Sequence, residues 1–470
     1  MPNPASGLSA LRGHTVLIVG VGREGVALAR ALRGLDQPPT LVALDGVDGE
    51  AAAAFRAEWG VTIPLLVATD EHFSVPPLIA QASVAVVSPG VPLTSWLHRW
   101  VRNLGITVTS GSALFVADHH GRMVGITGSK GKSTTATLIH LLLEASGEQV
   151  SLGGNMGIPL QSLDPADRIV VELSSYQCHY MEASPDVVVL SALFPEHLDW
   201  HGSSDQYFDD KLSLVAAGPR VVIADGDDDM LRTELTKRYP ALTVEWVGVG
   251  HSWHLEPEGQ HSWLCHGSQR LFYTEDSPLL GVHNHRNMLL ALAGAHATGA
   301  LNADVIGSVL SAFSGLGSRL EKIPDSSGLV FVNDSLATNP HAAVAGLQAC
   351  SSPGMVWLVG GYDRGVDYQP LVDQVLRSRP RHILGLPGSG EKLVGMFRAG
   401  LKAQGTLEGV HLEVVAGMTD AVEKARGLAG SGDYVLLSPG APSFGHYRDY
   451  QHRADEFIAA ISATKPKDTL

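Results

Sequence analysis

The sequence predicts an α/β protein of three domains. These are a Rossmann-like N-terminal block, a central block with a phosphate loop and a mainly parallel sheet, and a Rossmann-like C-terminal block. Three observations carry that expectation. Short apolar runs alternate with helix-forming, often Ala-rich stretches, the pattern of strands joined by crossover helices. Many of those runs end in glycine or a polar turn, where such sheets place their ligand loops. A chain of 470 residues also exceeds what one ordinary core organises.

The elements follow in order. TVLIVG (15–20) is a buried strand, GREGVALARALRG a helix, LVALDG (41–46) a second strand, and ASVAVVSPGVP (82–92) a strand running into a turn. A second series starts at MVGITG and continues through IVVELSS (169–175), DVVVLSALF (186–194) and RVVIADG (220–226). A third starts near Arg319, with LVFVNDS, MVWLVGG, HILGLPG and YVLLSPG. The expected domains are 1–120, 121–317 and 318–470. The tail SATKPKDTL is expected to fray.

Composition narrows the function classes. The formal charge of −15 disfavours a nucleic-acid partner. Three widely spaced cysteines, Cys178, Cys265 and Cys350, give neither a disulfide framework nor a metal knuckle. No apolar run approaches the roughly 18–20 residues needed to cross a bilayer. The N-terminus has no basic segment leading into a long apolar core, so no signal peptide is expected. These features point to a cytoplasmic protein without a membrane partner, and we expect a monomer.

Two glycine turns mark the N-terminal block. GVGREG (20–25), with Gly22 and Arg23, follows a strand and opens a helix, and Asp45 ends the next strand 20 residues past Gly25. That is dinucleotide-fingerprint spacing: glycines admit a diphosphate to backbone amides, and the acid takes a ribose hydroxyl. SPGVP, with Ser88, Pro89 and Gly90, is a second turn on the same expected rim. Together they suggest a diphosphate-bearing ligand.

The central block opens with TGSKGKST, comprising Thr127, Gly128, Ser129, Lys130, Gly131, Lys132, Ser133 and Thr134. Ile126 stands where GxxxxGK[ST] has its first glycine, but the chemistry is intact. Gly128 and Gly131 free backbone N–H groups for phosphates, Lys132 brings a charge to the β/γ oxygens, and Ser133 offers a hydroxyl to Mg²⁺. Glu172 ends a buried strand and needs a cation partner, which Mg²⁺ supplies. His197 lies in FPEHLDWHG at the next strand end. Ser203 and Gln206 read as a capping box, and Lys211 lies one turn after Tyr207 on the same helical face. Taken singly, His197 reads as an ordinary histidine and Lys211 as a solvated surface charge.

The set TGSKGKST, GGNMGIP (153–159), ELSSYQ (172–177), EHLDWHG with Tyr207-x-x-x-Lys211, GVHNHRN (281–287), NDSLATNP (333–340) and LLSPGAPSF (436–444) resembles the Mur ligases of peptidoglycan synthesis. It looks most like the members that add glutamate to UDP-N-acetylmuramoyl-L-alanine. The matches run in order over nearly the whole chain. The resemblance implies a UDP-binding domain, a central ATPase and a C-terminal domain for ATP and the amino acid. GVGREG and SPGVP then cradle the UDP diphosphate. Asn155, Ser174, Ser175 and Gln177 serve the muramoyl-alanine end, Asn284 and Asn287 the adenine, and Arg319 and Asp334 the phosphate and ribose. Thr338, Arg364, Ser443 and Tyr450 fall at amino-acid positions. Lys211 is implied to carry CO₂ as a carbamate, and two Mg²⁺ ions to sit among Ser133, Glu172, His197 and that carbamate. Glutamate is joined through an acyl phosphate, with ATP as the energy source.

Departures fall in the third block. Leu336 replaces the Lys of DSKATN, Ala454 follows Arg453 where the family reads RG, and Arg364 stands where some members carry Lys. D-glutamate is the family default, and the lost cation at 336 raises the L-glutamate-adding variant. The rival readings are an NAD-dependent oxidoreductase resting on GVGREG and Asp45, another Mur ligase or a folylpolyglutamate synthase, and a non-catalytic nucleotide switch.

Overall fold

The computed structural model describes Asn3 and residues 6–464. Three sheets organise them, as the alternating pattern predicts. By compactness the chain forms two units, one of residues 1–275 with 286–310, the other of 276–285 with 311–470.

The first unit holds two sheets. The N-terminal sheet comprises β1 (Thr15–Val19), β2 (Thr40–Asp45), β3 (Leu65–Val67), β4 (Val84–Val87) and β5 (Thr107–Thr109). Every pairing is parallel, in the order β3-β2-β1-β4-β5. Helices α1 (Arg23–Arg33), α2 (Glu50–Trp59), α3 (Trp96–Asn103) and α4 (Gly111–His119) connect these strands and lead on from them. The order reverses between β1 and β4, the switch point at which open α/β sheets bind ligands. GVGREG follows β1 and SPGVP follows β4, so the topology sets the two glycine turns side by side.

The central sheet has nine strands: β6 (Met123–Thr127), β7 (Val150–Gly154), β8 (Arg168–Glu172), β9 (Val187–Leu190), β10 (Val221–Asp225), β11 (Glu245–Val247), β12 (Trp253–Glu258), β13 (His261–His266) and β14 (Gln269–Tyr273). Their order is β14-β13-β12-β11-β10-β9-β6-β8-β7. β6, β8 and β9 are almost wholly buried, which explains their apolar runs, rich in Val and Ile in β8 and in Val in β9. β12 to β14 form an antiparallel meander that the sequence reading did not predict. WHLEPE, with its proline and histidine, carries no clear strand period. Helices α5 (Lys132–Ala145), α6 (Ser175–Cys178), α7 (Leu198–His201), α8 (Ser204–Leu212), α9 (Asp229–Arg238) and α10 (Val282–Ala297) accompany it, and α11 (Ile306–Ala312) follows.

The second unit is built on β15 (Glu321–Ile323), β16 (Val330–Asn333), β17 (Val356–Val359), β18 (His382–Gly385), β19 (His411–Val414) and β20 (Tyr434–Leu437). The order is β15-β16-β20-β17-β18-β19, parallel except at β15. α12 (Pro340–Ala349), α13 (Gln369–Ser378) and α14 (Gly390–Ala403) pack with one core cluster, α15 (Met418–Leu428) and α16 (Tyr450–Ala463) with the other. Of the tail expected to fray, Ser462 and Ala463 are still helical, and residues 465–470 lie outside the described residues.

Candidate active site

The phosphate loop joins β6 to α5. Gly128 has φ +148° and Gly131 φ +92°, conformations that L side chains rarely adopt. A Cβ on Gly128 would lie 2.0 Å from Ser191 Oγ, and one on Gly131 2.4 Å from Asn287 Oδ1. Lys132 Nζ donates to the carbonyls of Gly128 (2.9 Å) and Ser129 (3.2 Å), curling over the loop. Thr127 and Ser129 are turned inward. Thr127 Oγ1 donates to Leu173 O at 2.8 Å, and Ser129 Oγ donates to Phe194 O at 2.7 Å beside Tyr207 Oη. Their side chains hold the loop's shape. Lys130 pairs with Glu196 at 3.0 Å, and Thr134 is buried in the first turn of α5.

Glu172, 2% exposed, ends β8 beside this loop. Its Oε2 accepts from Ser133 Oγ at 2.5 Å, and its Oε1 from Asn155 Nδ2 at 2.8 Å. Among the described residues its hydrogen-bond donors are neutral, and a buried carboxylate so held leaves negative charge that a cation can offset. Lys211 overturns the solvated-surface reading of its charge. It is 2% exposed, its Nζ donates to Gly128 O at 2.8 Å, and it sits 5.1 Å from the Tyr207 ring centroid. Among the described residues no carboxylate reaches ion-pair distance of this amine. Burial, with Lys132 nearby, pushes its pKa down from 10.5 to about 7.

His197 occupies the left-handed region at φ 56° and caps α7. Its ring lies 5.1 Å from that of Tyr176, and desolvation pulls its pKa below the ordinary value. Such a backbone at a non-glycine residue is strained, and strain of this kind gathers at functional sites. The capping box expected at Ser203 forms only by half. Ser203 Oγ accepts from Gln206 N, but the Gln206 side chain turns to Asp210. A complete box forms instead at Ser174 and Gln177. Gln177 Nε2 then donates to Glu24 Oε1 at 2.9 Å, so that amide tethers the N-terminal block.

In the N-terminal block, Ser88 Cβ lies 2.8 Å from where a Cβ on Gly20 would stand, confirming the adjacency of the two turns. Gly22 and Gly90 are exposed, and Arg23 reaches Gly157 O at 3.5 Å. Asp45 Oδ2 accepts from Val21 N and Oδ1 from Val47 N. The acid therefore braces the first glycine turn. Pro89 O accepts from Trp200 Nε1 at 3.0 Å, which ties SPGVP to α7. Asn287 lies by Gly131, as noted. Asn284 belongs to the second unit, where its Nδ2 donates to Leu280 O.

The second unit brings its expected residues onto neighbouring strand ends. Asp334 follows β16 and accepts from Ser438 Oγ at 2.7 Å and Leu320 N at 3.3 Å. That bond seats the Arg319 segment, in which Ser318 (φ 60°) and Leu320 (φ 49°) are both left-handed. Arg453 is fully buried, and its guanidinium binds Ser335 Oγ and O and Ala441 O at 2.8–3.0 Å. It thereby clamps NDSLATNP to the loop carrying the buried Ser443. Leu336 and Thr338 are half-buried between them, and Tyr450, exposed, opens α16. Arg364 is exposed and stacks on Phe444, 5.6 Å from the ring centroid.

Sequence reasoning missed four residues around these groups: Glu24, His179, His201 and Asp210. Their spacing held a signal, since His201 lies one helical turn from His197 and Asp210 precedes Lys211. A separate donor set, His254, Glu256 and Cys265, lies on the meander within 4.8 Å. Arg270 already pairs with Glu256, and burial raises the Cys265 thiol, so it is an ion pair in hand.

A phosphate loop backed by a buried acid and a buried lysine, on the central of three α/β sheets, marks a nucleotide-binding enzyme of the phosphate-loop class. The Mur ligase middle domain matches residues 126–295, and the Mur ligase, glutamate ligase domain matches residues 318–440. A UDP-N-acetylmuramoyl-L-alanine–L-glutamate ligase of Micromonospora sp. is 43% identical over 464 residues, covering 97% of this chain and 98% of the relative. One of Xanthomonas euvesicatoria pv. vesicatoria is 35% identical, covering 97% and 98%. Among solved structures, the UDP-N-acetylmuramate-alanine ligase of Thermotoga maritima aligns with TM-score 0.59 at 16% identity, over 96% of this chain and 100% of that one. The chain belongs to the Mur ligase family, the ATP-dependent amide ligases of peptidoglycan-precursor synthesis. The oxidoreductase alternative finds no support in this family.

Proposed function

We propose that this chain joins L-glutamate to UDP-N-acetylmuramoyl-L-alanine, with ATP cleaved to ADP and phosphate through transfer to the alanyl carboxylate. The relatives' names favour that enantiomer, and the half-buried Leu336 where the family carries a cation agrees with a changed amino-acid pocket. One observation carries the ligase chemistry: Ser133, Glu172 and the near-neutral Lys211 converge on one phosphate loop.

The donor set fits Mg²⁺, a hard cation that prefers oxygen ligands. Ser133, Glu172, His197 and a carbamylated Lys211 would hold it. When bound it would offset the repulsion between the carboxylates and the triphosphate. Carbamylation suits the buried amine. Neutral Nζ attacks the carbon of CO₂, an N–C bond forms, one proton leaves, and a buried cation becomes an oxygen donor. In the ligation an oxygen of the alanyl carboxylate attacks the γ-phosphorus and the bond to ADP breaks. The glutamate amine then attacks the acyl carbon, phosphate departs, and the amine gives up a proton. Lys132 and Arg319 would balance charge at the transferring phosphoryl group, and Arg364, with Thr338, Ser443 and Tyr450, would receive the amino acid. Asn284, Asn287 and Asp334 would bind the nucleoside, and Gly22, Arg23, Asp45 and the SPGVP turn the UDP end. Asn155 and the Ser174–Gln177 turn would border the muramoyl-alanine. The division at 1–120, 121–317 and 318–470 matches these roles, and we place the protein in the cytoplasm as a monomer.

The test is phosphate release with UDP-N-acetylmuramoyl-L-alanine and each glutamate enantiomer. L-glutamate should turn over faster by at least about tenfold, the worth of roughly 1.4 kcal/mol. Equal or faster turnover of D-glutamate, the family default, overturns the stereochemical assignment and leaves the ligase standing.

A further inference from the structure

His201 was given no role by the sequence, yet its hydrogen bonds reach three of the four segments that carry an expected metal donor, all but that of Ser133. Its side chain has no solvent exposure. Nδ1 donates to Asp210 Oδ2 at 2.6 Å, and Asp210 immediately precedes Lys211 on α8. Nε2 accepts from Ser175 Oγ at 2.9 Å, and Ser175 opens α6 three residues past Glu172. The backbone N–H of His201 donates to His197 O at 3.1 Å, closing the single turn of α7. The imidazole thus bonds the Glu172 and Lys211 segments to each other, and it shares the Tyr176 ring with His197.

The surroundings fix the ring. Tyr176 stacks on it at 5.5 Å, Tyr207 meets it edge-on at 5.2 Å, and Trp200 lies 4.5 Å away. Tyr207 also underlies the Lys211 amine and touches Ser129 of the phosphate loop. The other Asp210 oxygen is taken by His179 Nδ1 at 2.6 Å and Gln206 Nε2 at 2.7 Å, so the carboxylate cannot swing toward Lys211. The order Ser175, His201, Asp210 has the connectivity of a nucleophilic triad. Ser175 is 2% exposed, which leaves an acyl group no approach to its hydroxyl.

We infer that His201 is a positioning residue, the hub that sets Glu172, His197 and the Lys211 carbamate in register for the metal site. The inference rests on the proposed function. Losing the imidazole releases the Glu172 and Lys211 segments together and removes the ring packed beside Tyr176 and His197, whereas a change at any one donor removes only that one. Outer partners of metal ligands commonly alter metal affinity or activity about 10- to 100-fold.

The experiment compares wild type with His201→Ala and His201→Gln, read by the Mg²⁺ concentration for half-maximal activity and by the lysine-carbamate signal in ¹³C-bicarbonate NMR. Thermal unfolding serves as the fold check. His201→Ala should raise the Mg²⁺ requirement about tenfold or more and lose most of the carbamate signal. His201→Gln, which can again bridge Asp210 and Ser175, should recover part of both. If His201→Ala does not fold, Asp210→Asn, of equal shape, should show the same paired loss. A folded His201→Ala or Asp210→Asn with wild-type Mg²⁺ requirement and full signal overturns the inference, even where kcat falls. A wild type that carries no carbamate signal fails the proposed function first, and this inference with it.

Discussion

At Lys211 a single side chain changes meaning with its burial. Exposed, the amine would hold its proton far above neutrality. Enclosed beside Lys132, its pKa is pushed down to about 7. Only the neutral amine attacks CO₂, so at fixed dissolved CO₂ the fraction of carbamylated, active enzyme should rise as pH climbs through about 7, as phosphate release would show. The linkage has the same sign. Between about 7 and 10.5 the unfolded chain binds the extra proton, so stability at this group rises with pH across that window. Lys211→Ala should lower kcat by at least about 100-fold, the scale of losing a preorganised charge. Formate or acetate should restore part of it, and full activity without them removes carbamylation from the account. Gly128→Ala tests the loop backbone. With φ +148° and Ser191 Oγ 2.0 Å from the new methyl, it should cost about 1–3 kcal/mol and weaken ATP binding in calorimetry.

Among the elements, α16 shows how a helix far along the chain holds loops that it does not itself form. Arg453 in its first turn binds Ser335 and Ala441, and burial pushes its pKa down to about 10. Arg453→Met should leave those acceptors unmet, at about 1–3 kcal/mol each, and lower the urea midpoint together with glutamate turnover. Restored stability without restored turnover in a second-site revertant would separate clamp from chemistry. Strands were legible where burial was two-sided, as in β8 and β9, whose short β-branched runs bounded by turns favour a strand over a helix. The meander was not legible, because half-exposed strands of mixed composition carry little period. Capping was misassigned between two similar turns. Ser174–Gln177 and Ser203–Gln206 have the same spacing, and only the presence of Asp210 beside Gln206 decides which amide turns back.

Over the whole molecule, compactness and sequence divide the chain differently. Residues 276–285 belong with the second unit, where Leu280 packs against the core of β16, β17 and β18, and Leu279 lies near Gly315. Leu279→Ala in the full chain should therefore destabilise the second unit by about 2–5 kcal/mol, read as a lower urea midpoint. An unchanged midpoint would return the boundary to residue 318.

The sequence alone determined the α/β class, the three sheets, the phosphate loop and the family, because those rest on local spacing: glycines at strand ends, a lysine and a hydroxyl opening a helix, acids closing buried strands. Tertiary structure alone decided the state of Lys211, the hold on Asp45 and the reach of His201. Those depend on which groups distant in the chain become neighbours once water is excluded, and no local pattern encodes that.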